Sequence, residues 1–404
     1  MTARDTLSAQ YKKFVIPTYA PTLALVKGRG ARVWDADGKA YLDFAAGIAV
    51  QNVGHCHPKV VAAIQEQAAR LVHVSNLYFN EKQSVLAAKL SALAGGGKCF
   101  FCNSGAEANE ALIKLARLWG NPQGKSGIVS MVNSFHGRTL AALAATGQTK
   151  YQQGFEPLPE GFSYAEYNNL DSVRAAINDQ TAAILVEAVQ GEGGVVPATD
   201  EFLKGLRALC TEKNILLLFD EVQCGMGRTG TWFGFQNAGI TPDAFSLAKA
   251  LGSGIPIGAI VASPLLADVF QPGKHASTFG GQPLACAAAL ATIAVIEEEK
   301  LTTRAAQSGA RLMDGLRAMA PRYAHMIEVR GRGLMIGVLL DVPVKPLIQS
   351  LAEKGIIVLP AGDNVLRLVP PLNVKPAEID EALDMINEAL AELHGIELPD
   401  DADA

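Results

Sequence analysis

The chain has 404 residues, 49% of them hydrophobic and 19% charged, with a formal net charge of −5. That apolar content excludes a disordered or fibrous protein, and the acidic balance argues against a dedicated nucleic-acid binder, which would carry a basic excess. At ~100–200 residues per domain the length fits two to four domains, or one large and one small.

The first residues, MTARDTLSAQYKKF, put no apolar run behind their charges, so no secretory signal is expected there. Asp37-Gly38, between the alternating runs of RVWDADGKAYLDF (32–44), signals a hairpin. Apolar residues at spacings of three and four predict helices over 58–72 and 81–94. From 98 to 262 short apolar runs alternate with helical stretches: KCFFCNS, GIVSMVNS, AAILVEAV, NILLLFDEV, DAFSLAK and IGAIVAS. The runs are continuously apolar, as strands buried on both faces of a largely parallel sheet are. Polar residues collect at their C-terminal ends: Asn103, Ser104, Glu187, Asp220, Glu221 and Lys249. Ligands of open α/β sheets bind outside those ends, so the chemistry is expected along one edge. PLACAAALATIAVI (283–296) is too short to span a membrane and reads as a buried helix. Helix 302–320, the runs MIEVRGRG, LMIGVLLDV, GIIVLP and NVLRLVP, and helices near 345–354 and 377–394 then predict a smaller α+β unit. The expected division is 1–60 as a segment joining the small domain, 61–300 as the large domain, 301–396 as the small domain and 397–404 as a disordered acidic tail. Six cysteines without an export signal read as reduced cytoplasmic thiols.

Asn103-Ser104-Gly105-Ala106-Glu107 closes a strand and opens a helix over 106–119. Ser104 can cap that helix, and its first N–H groups would face outward, an anion site suited to phosphate. Asp220 and Lys249 each stand at or just past a strand end. A carboxylate there can hold a protonated heterocyclic nitrogen with about 4 kcal/mol at ~4 Å and an effective dielectric of ~20. A lysine beside low-dielectric walls can lose its proton and form a Schiff base. Taken singly, an ordinary N-cap and a structural Asp–Lys pair account for these residues. Taken together they meet the three needs of pyridoxal 5′-phosphate (PLP): a phosphate cradle, an acid for the ring nitrogen and an amine for the aldehyde.

With NSGAEANEALIKLAR (103–117), FHGRT (135–139), EAVQGEGG (187–194), LLLFDEVQCGMGRTG (216–230), SLAKALGSGIPIGA (246–259) and STFGGQPLACAAA (277–289), joined by GHCHP (54–58) and VLRLVPPLNV (365–374), the chain resembles the class III, or ω-amino, aminotransferases. The resemblance implies PLP fold type I, aspartate aminotransferase-like: an α/β fold with a large, mostly parallel-sheet domain and a smaller α+β domain. It implies PLP as cofactor. Lys249 would carry it and shuttle the proton, Asp220 would pair with its ring nitrogen, and Gln223 would bond its ring hydroxyl. Ser104, Gly105 and Ala106 would hold its phosphate, with Phe135 stacked on one ring face and Val222 packed on the other. Thr278 would reach the phosphate of the neighbouring subunit, which implies a homodimer with shared sites. Arg138 would bind the donor's α-carboxylate, Tyr19 would face the substrate, and Glu192 would mask Arg367 until a keto acid needs it.

The implied reaction moves the δ-amino group of N2-acetylornithine to 2-oxoglutarate in arginine biosynthesis, in the cytoplasm. Succinylornithine, N-succinyl-diaminopimelate, ornithine or 4-aminobutyrate remain alternative donors, since such enzymes share the cofactor residues. A PLP-dependent aminomutase or racemase is the reading from another class. Cys99-x-x-Cys102 falls in a strand and has no second pair at zinc-like spacing, and His55-Cys56-His57 reads as a structural turn or pocket wall, so no metal site is expected. His136 carries no assigned role, and Cys224 is expected near the cofactor without being a nucleophile. Cys224, Met226, Ser253 and Gln282 depart from the residues common in the family, Ser253 standing where glycine is common.

Overall fold

A computed structural model describes residues 3–396, so the acidic tail 397–404 lies outside the described residues. Its centre is a seven-stranded sheet: β1 (Lys98–Cys102), β2 (Gly127–Met131), β3 (Phe162–Ala165), β4 (Thr181–Glu187), β5 (Leu216–Asp220), β6 (Ala244–Leu247) and β7 (Gly258–Ala262). The strand order is β1-β7-β6-β5-β4-β2-β3. All neighbours run parallel except at β7, which is antiparallel to both β1 and β6. The run IGAIVAS therefore reaches the functional edge with its first residues rather than its last. The strand β3 adds an element beyond the six apolar runs. It sits at the sheet edge with one of its four residues buried, and its alternating FSYA gives a weaker signal than the buried strands.

Side chains of β4 and β5 divide by parity between two cores. Ala183, Leu185, Leu216 and Leu218 face helix α1 (Gly105–Gly120), while Ile184, Val186, Leu217 and Phe219 face the opposite layer, which includes helix α2 (Asp200–Lys213). Both faces are covered, which is why these strands read as unbroken apolar runs.

The hairpin over 32–44 forms, with Arg32–Asp35 antiparallel to Ala40–Asp43. Asp35 Oδ1 accepts the Asp37 and Lys39 N–H groups and shapes its turn. The run GIIVLP does not form one strand. Ile356–Ile357 pairs in parallel with Ala40–Asp43, whereas Leu359–Pro360 joins Val365–Leu368 in the four-stranded antiparallel sheet that also holds Met326–Arg332 and Met335–Leu340. The helix expected over 58–72 ends at Ala68, where Gln67 turns its side-chain amide onto the Leu71 carbonyl at 2.8 Å. The helix over 81–94 has the expected bounds.

Between hairpin and helix the backbone makes a left-handed turn, with φ of 47°, 63°, 66° and 58° at Ala46, Gly47, Ile48 and Ala49. This conformation costs L-residues about 1–2 kcal/mol each. Asp43 Oδ1 holds its entry by accepting the Ala45 and Ala46 N–H groups at 3.0 and 2.8 Å, and Asp43 Oδ2 lies 2.6 Å from His55 Nε2. Fully buried Arg228 ties this segment to the C-terminal part by donating to Asn52 Oδ1, the Leu334 carbonyl and the Pro370 carbonyl. Its partners are all neutral, and burial pulls its pKa down to about 9. Among the described residues no helix is long and apolar enough to cross a membrane.

Candidate active site

The C-terminal ends of β1, β4, β5 and β6, the start of β7 and the loop after β2 surround a cavity of about 440 Å³. Helix α1 opens there. Ser104 is its N-cap, with Oγ accepting the Glu107 N–H at 3.2 Å. Helix geometry leaves the Gly105 and Ala106 N–H groups without intrahelical acceptors, turned toward the cavity they line. Gly105 must stay small, because a Cβ there would lie 2.7 Å from Val222 Cγ1.

Glu187, Asp220 and Ser246 are register partners across β4, β5 and β6, on the face that α1 covers. Asp220 is 4% exposed. Its Oδ1 accepts the Val222 N–H at 2.9 Å. Its Oδ2 accepts Asn109 Nδ2 at 2.7 Å and lies 2.8 Å from His136 Nδ1. Asn109 is fixed in turn, since Ser246 Oγ donates to its Oδ1 at 2.7 Å. The carboxylate is thus aimed by three buried side chains, and among the described residues the buried His136 Nε2 has no hydrogen-bond partner. Burial is the main force pushing the Glu187 carboxyl up to about 7, against the Phe135 and Gly191 N–H groups that it accepts.

Lys249 follows β6 with φ of 42°, a left-handed conformation that a non-glycine residue keeps only when its surroundings enforce it. Burial pulls its amine below the ordinary lysine range, Arg367 adds to that, and Glu192, Asp220 and Glu187 oppose it. Gln223 lines the same cavity and accepts Arg367 Nη1 at 3.2 Å. Arg367, on Val365–Leu368, also donates to Glu192 Oε1 at 2.5 Å. Glu192 rides the Gly191–Gly194 loop between the paired strands Val189–Gln190 and Val196–Pro197. The far end of that loop is held where Arg330 donates to the Gly194 carbonyl.

Phe135, Arg138 and Val222 line the cavity as well. Arg138 is exposed, with its guanidinium 4.1 Å from the Tyr151 ring centroid and 5.4 Å from that of Phe135. Thr278 and Tyr19 are not brought in. Thr278 lines a separate groove with Asn76 and Leu77, and Tyr19 stands 74% exposed. Cys224 is buried, its Sγ donates to the Val189 carbonyl, and burial drives its thiol far above the ordinary range, which suits no nucleophile. Cys99 and Cys102 are apart in their contacts, with the Ala87 and Ser104 carbonyls respectively, and burial pushes both thiols up to about 12. Among the described residues no cluster fit to hold a metal ion occurs.

The sequence marks neither Asn109 nor Ser246, and it gives His136 a place beside the cavity without a role. Asn109 looks like any polar residue within a helix, and its value appears only when α1 is laid on the sheet. His136 adjoins Phe135, so its neighbourhood was the available signal. The donor set fits PLP: free amides for a phosphate, a supported carboxylate for a protonated ring nitrogen, and an enclosed amine for an aldehyde, all in one cavity.

The chain matches the family described as aminotransferase class III over residues 16–390. An acetylornithine aminotransferase of Methanocaldococcus jannaschii is 49% identical over 386 residues, covering 95% of this chain and 97% of that one. One from Caldanaerobacter subterraneus subsp. tengcongensis is 48% identical over 387 residues, covering 95% and 98%. Among solved structures, an ornithine aminotransferase from Toxoplasma gondii, with PLP in partial occupancy at its active site, aligns with a TM-score of 0.95 at 34% identity. That alignment covers 98% of this chain and 95% of that one.

Proposed function

The chain belongs to the class III aminotransferases, and from that membership we propose that it moves the δ-amino group of N2-acetylornithine to 2-oxoglutarate. The products are N-acetylglutamate 5-semialdehyde and glutamate, a step of arginine biosynthesis. The observation that carries this reading is one cavity holding Lys249, Asp220 and Arg138, with a second cation, Arg367, covered by Glu192. PLP, when bound, supplies the electron sink for the carbon that loses its proton.

The protein's own groups do the rest. Gly105 and Ala106 N–H groups hold the phosphate, and Asp220, held by Asn109 and His136, keeps the ring nitrogen protonated. Phe135 and Val222 confine the ring, and Gln223 bonds its hydroxyl. Arg138 takes the α-carboxylate of the donor, because a planar fork of N–H groups matches a carboxylate. Lys249 Nζ, whose hold on its proton burial weakens, takes the proton from the δ-carbon. Arg367 is neutralised by Glu192 while the donor is bound, and receives the carboxylate beside the keto carbon of 2-oxoglutarate when Glu192 turns away.

The same reading makes the enzyme a cytoplasmic homodimer. Thr278 shares a groove with Leu77 and adjoins Phe279, apolar side chains 81% and 56% exposed, a surface that a second copy would cover while Thr278 met its phosphate. Residues 61–300 act as the cofactor-holding domain and 301–396 as the small domain, with 1–60 joined to the latter. Tyr19 faces the substrate in this assembly.

A single-turnover titration tests the activity. N2-acetylornithine is mixed with the PLP-loaded enzyme without keto acid, and the absorbance of the bound cofactor is followed, with succinylornithine, ornithine and 4-aminobutyrate in parallel. The reading requires fastest conversion by N2-acetylornithine and recovery on adding 2-oxoglutarate. A clear preference for another donor overturns the substrate, and no conversion by any donor overturns transamination.

A further inference from the structure

Arg138 is an exposed, flexible side chain, and among the described residues no carboxylate pairs with it. A lysine or arginine side chain gives up about 2 kcal/mol of rotamer entropy when fixed. Something must hold its guanidinium if it is to receive a carboxylate in one orientation. The ring beneath it is Tyr151, with the guanidinium carbon 4.1 Å from the centroid. That ring also stands edge-on to Phe135, at 5.8 Å between centroids and 84° between planes.

Tyr151 is itself held firmly. It lies in the short helical turn Thr149–Gln152, which Gln148 fastens to the loop after β2 and Gln152 to Thr146 and the strand β3. Gln148 Nε2 donates to the Asn133 and Ser134 carbonyls at 3.2 and 3.0 Å. Gln152 Nε2 donates to the Thr146 carbonyl and to Tyr164 Oη, both at 2.9 Å. Stacking on an aromatic face occupies the guanidinium's flat side and leaves its in-plane N–H groups at the edge. Those are the groups that grip a carboxylate in a bidentate pair.

We propose that Tyr151 is a positioning residue that holds Arg138 on its ring face, and so sets the enzyme's discrimination for amino donors bearing an α-carboxylate. The inference rests on the reading of Arg138 as the α-carboxylate receptor. It assigns Tyr151 a part in holding the carboxylate that Arg138 receives and none at Arg367.

The test compares N2-acetylornithine with N-acetylputrescine, the same amine without its carboxylate, in single-turnover reactions of the PLP-loaded enzyme. Tyr151→Leu is expected to raise the concentration giving half-maximal rate five- to twentyfold for N2-acetylornithine and to leave it unchanged for N-acetylputrescine. Tyr151→Phe keeps the ring face and is expected to stay within twofold of the parent for both. The reaction with N-acetylputrescine, measured on the same preparations, reports that the site is intact. If Tyr151→Leu fails to load PLP, Tyr151→Gln is put through the same comparison. Arg138→Ala separates the two ideas. If it leaves the discrimination intact, the receptor reading falls. If it abolishes discrimination while Tyr151→Leu does not, the receptor reading stands and the role of Tyr151 is overturned. A loss in Tyr151→Phe equal to that in Tyr151→Leu overturns the ring-face argument.

Discussion

Glu192 Oε1 stands 2.5 Å from Arg367 Nη1, and the Arg367 side chain is 3% exposed while that of Glu192 is 23% exposed. The pair is therefore asymmetric. The cation is fixed in the wall and the anion sits at the opening, on a loop with glycines on both sides.

Removing the anion leaves the cation bare. Glu192→Ala is expected to slow the N2-acetylornithine half-reaction and to leave the 2-oxoglutarate half-reaction as fast or faster, because an uncompensated buried charge costs about 3–5 kcal/mol. Stopped-flow absorbance of each half-reaction checks this, and equal losses in both would remove Glu192 as a gate.

Asp220→Asn keeps shape and loses charge. At an effective dielectric of ~20 and ~4 Å the lost attraction is about 4 kcal/mol, roughly a 10³-fold fall in the rate of the donor half-reaction. Cofactor content after gel filtration should remain near one per chain, since the phosphate and Lys249 contacts persist. A fall in rate below tenfold would mean that Asp220 does not control the ring nitrogen.

Glu221 is 1% exposed, and its carboxyl accepts the Gly234 and Phe235 N–H groups at 2.7 and 3.0 Å. Burial outweighs those bonds and pushes it up to about 8. An acid with a raised folded pKa holds its proton in the fold after the unfolded chain has lost it. Stability should therefore fall as pH rises from about 4.5 toward 8, by about 1.4 kcal/mol per pH unit for one such group. Glu187 acts in the same direction up to about 7. Urea midpoints at pH 5.5 and 7.5 test the sign, and Glu221→Gln should reduce the slope.

Ser253 has φ of 44° and a buried Oγ without a hydrogen-bond partner among the described residues. Ser253→Gly relieves both, and should raise stability by about 1 kcal/mol after glycine's own entropy cost. An unchanged or lowered urea midpoint would count against strain at this turn.

The strands that carry the site were legible because burial on both faces leaves unbroken apolar runs ending in Ser104, Asp220 and Lys249. The direction of β7 was not, since pairing sense leaves no mark in a five-residue apolar run. Nor was the division of GIIVLP, where neighbouring residues serve different sheets. The expected cofactor residues follow from motif and resemblance, whereas the frame around Asp220 depends on where helix α1 lies over the sheet. Asn109, His136 and Ser246 are separated by 27 residues or more along the chain, and side-chain geometry alone joins them.

The parallel pairing of Ala40–Asp43 with Ile356–Ile357 bears on the order in which the molecule can be assembled. The strand made early must wait for a partner more than three hundred residues further on. At roughly 5–20 residues per second of synthesis, that edge stays unpaired for about 15–60 s. Asp43 belongs to that waiting strand and fixes the left-handed turn whose next residue, Val50, lines the cavity. The N-terminus of helix α1 can thus be complete on the ribosome while the cavity wall at Val50 is still unset. The cavity should be acquired in two stages, its helix end first and its far wall after the strand at 356 has docked.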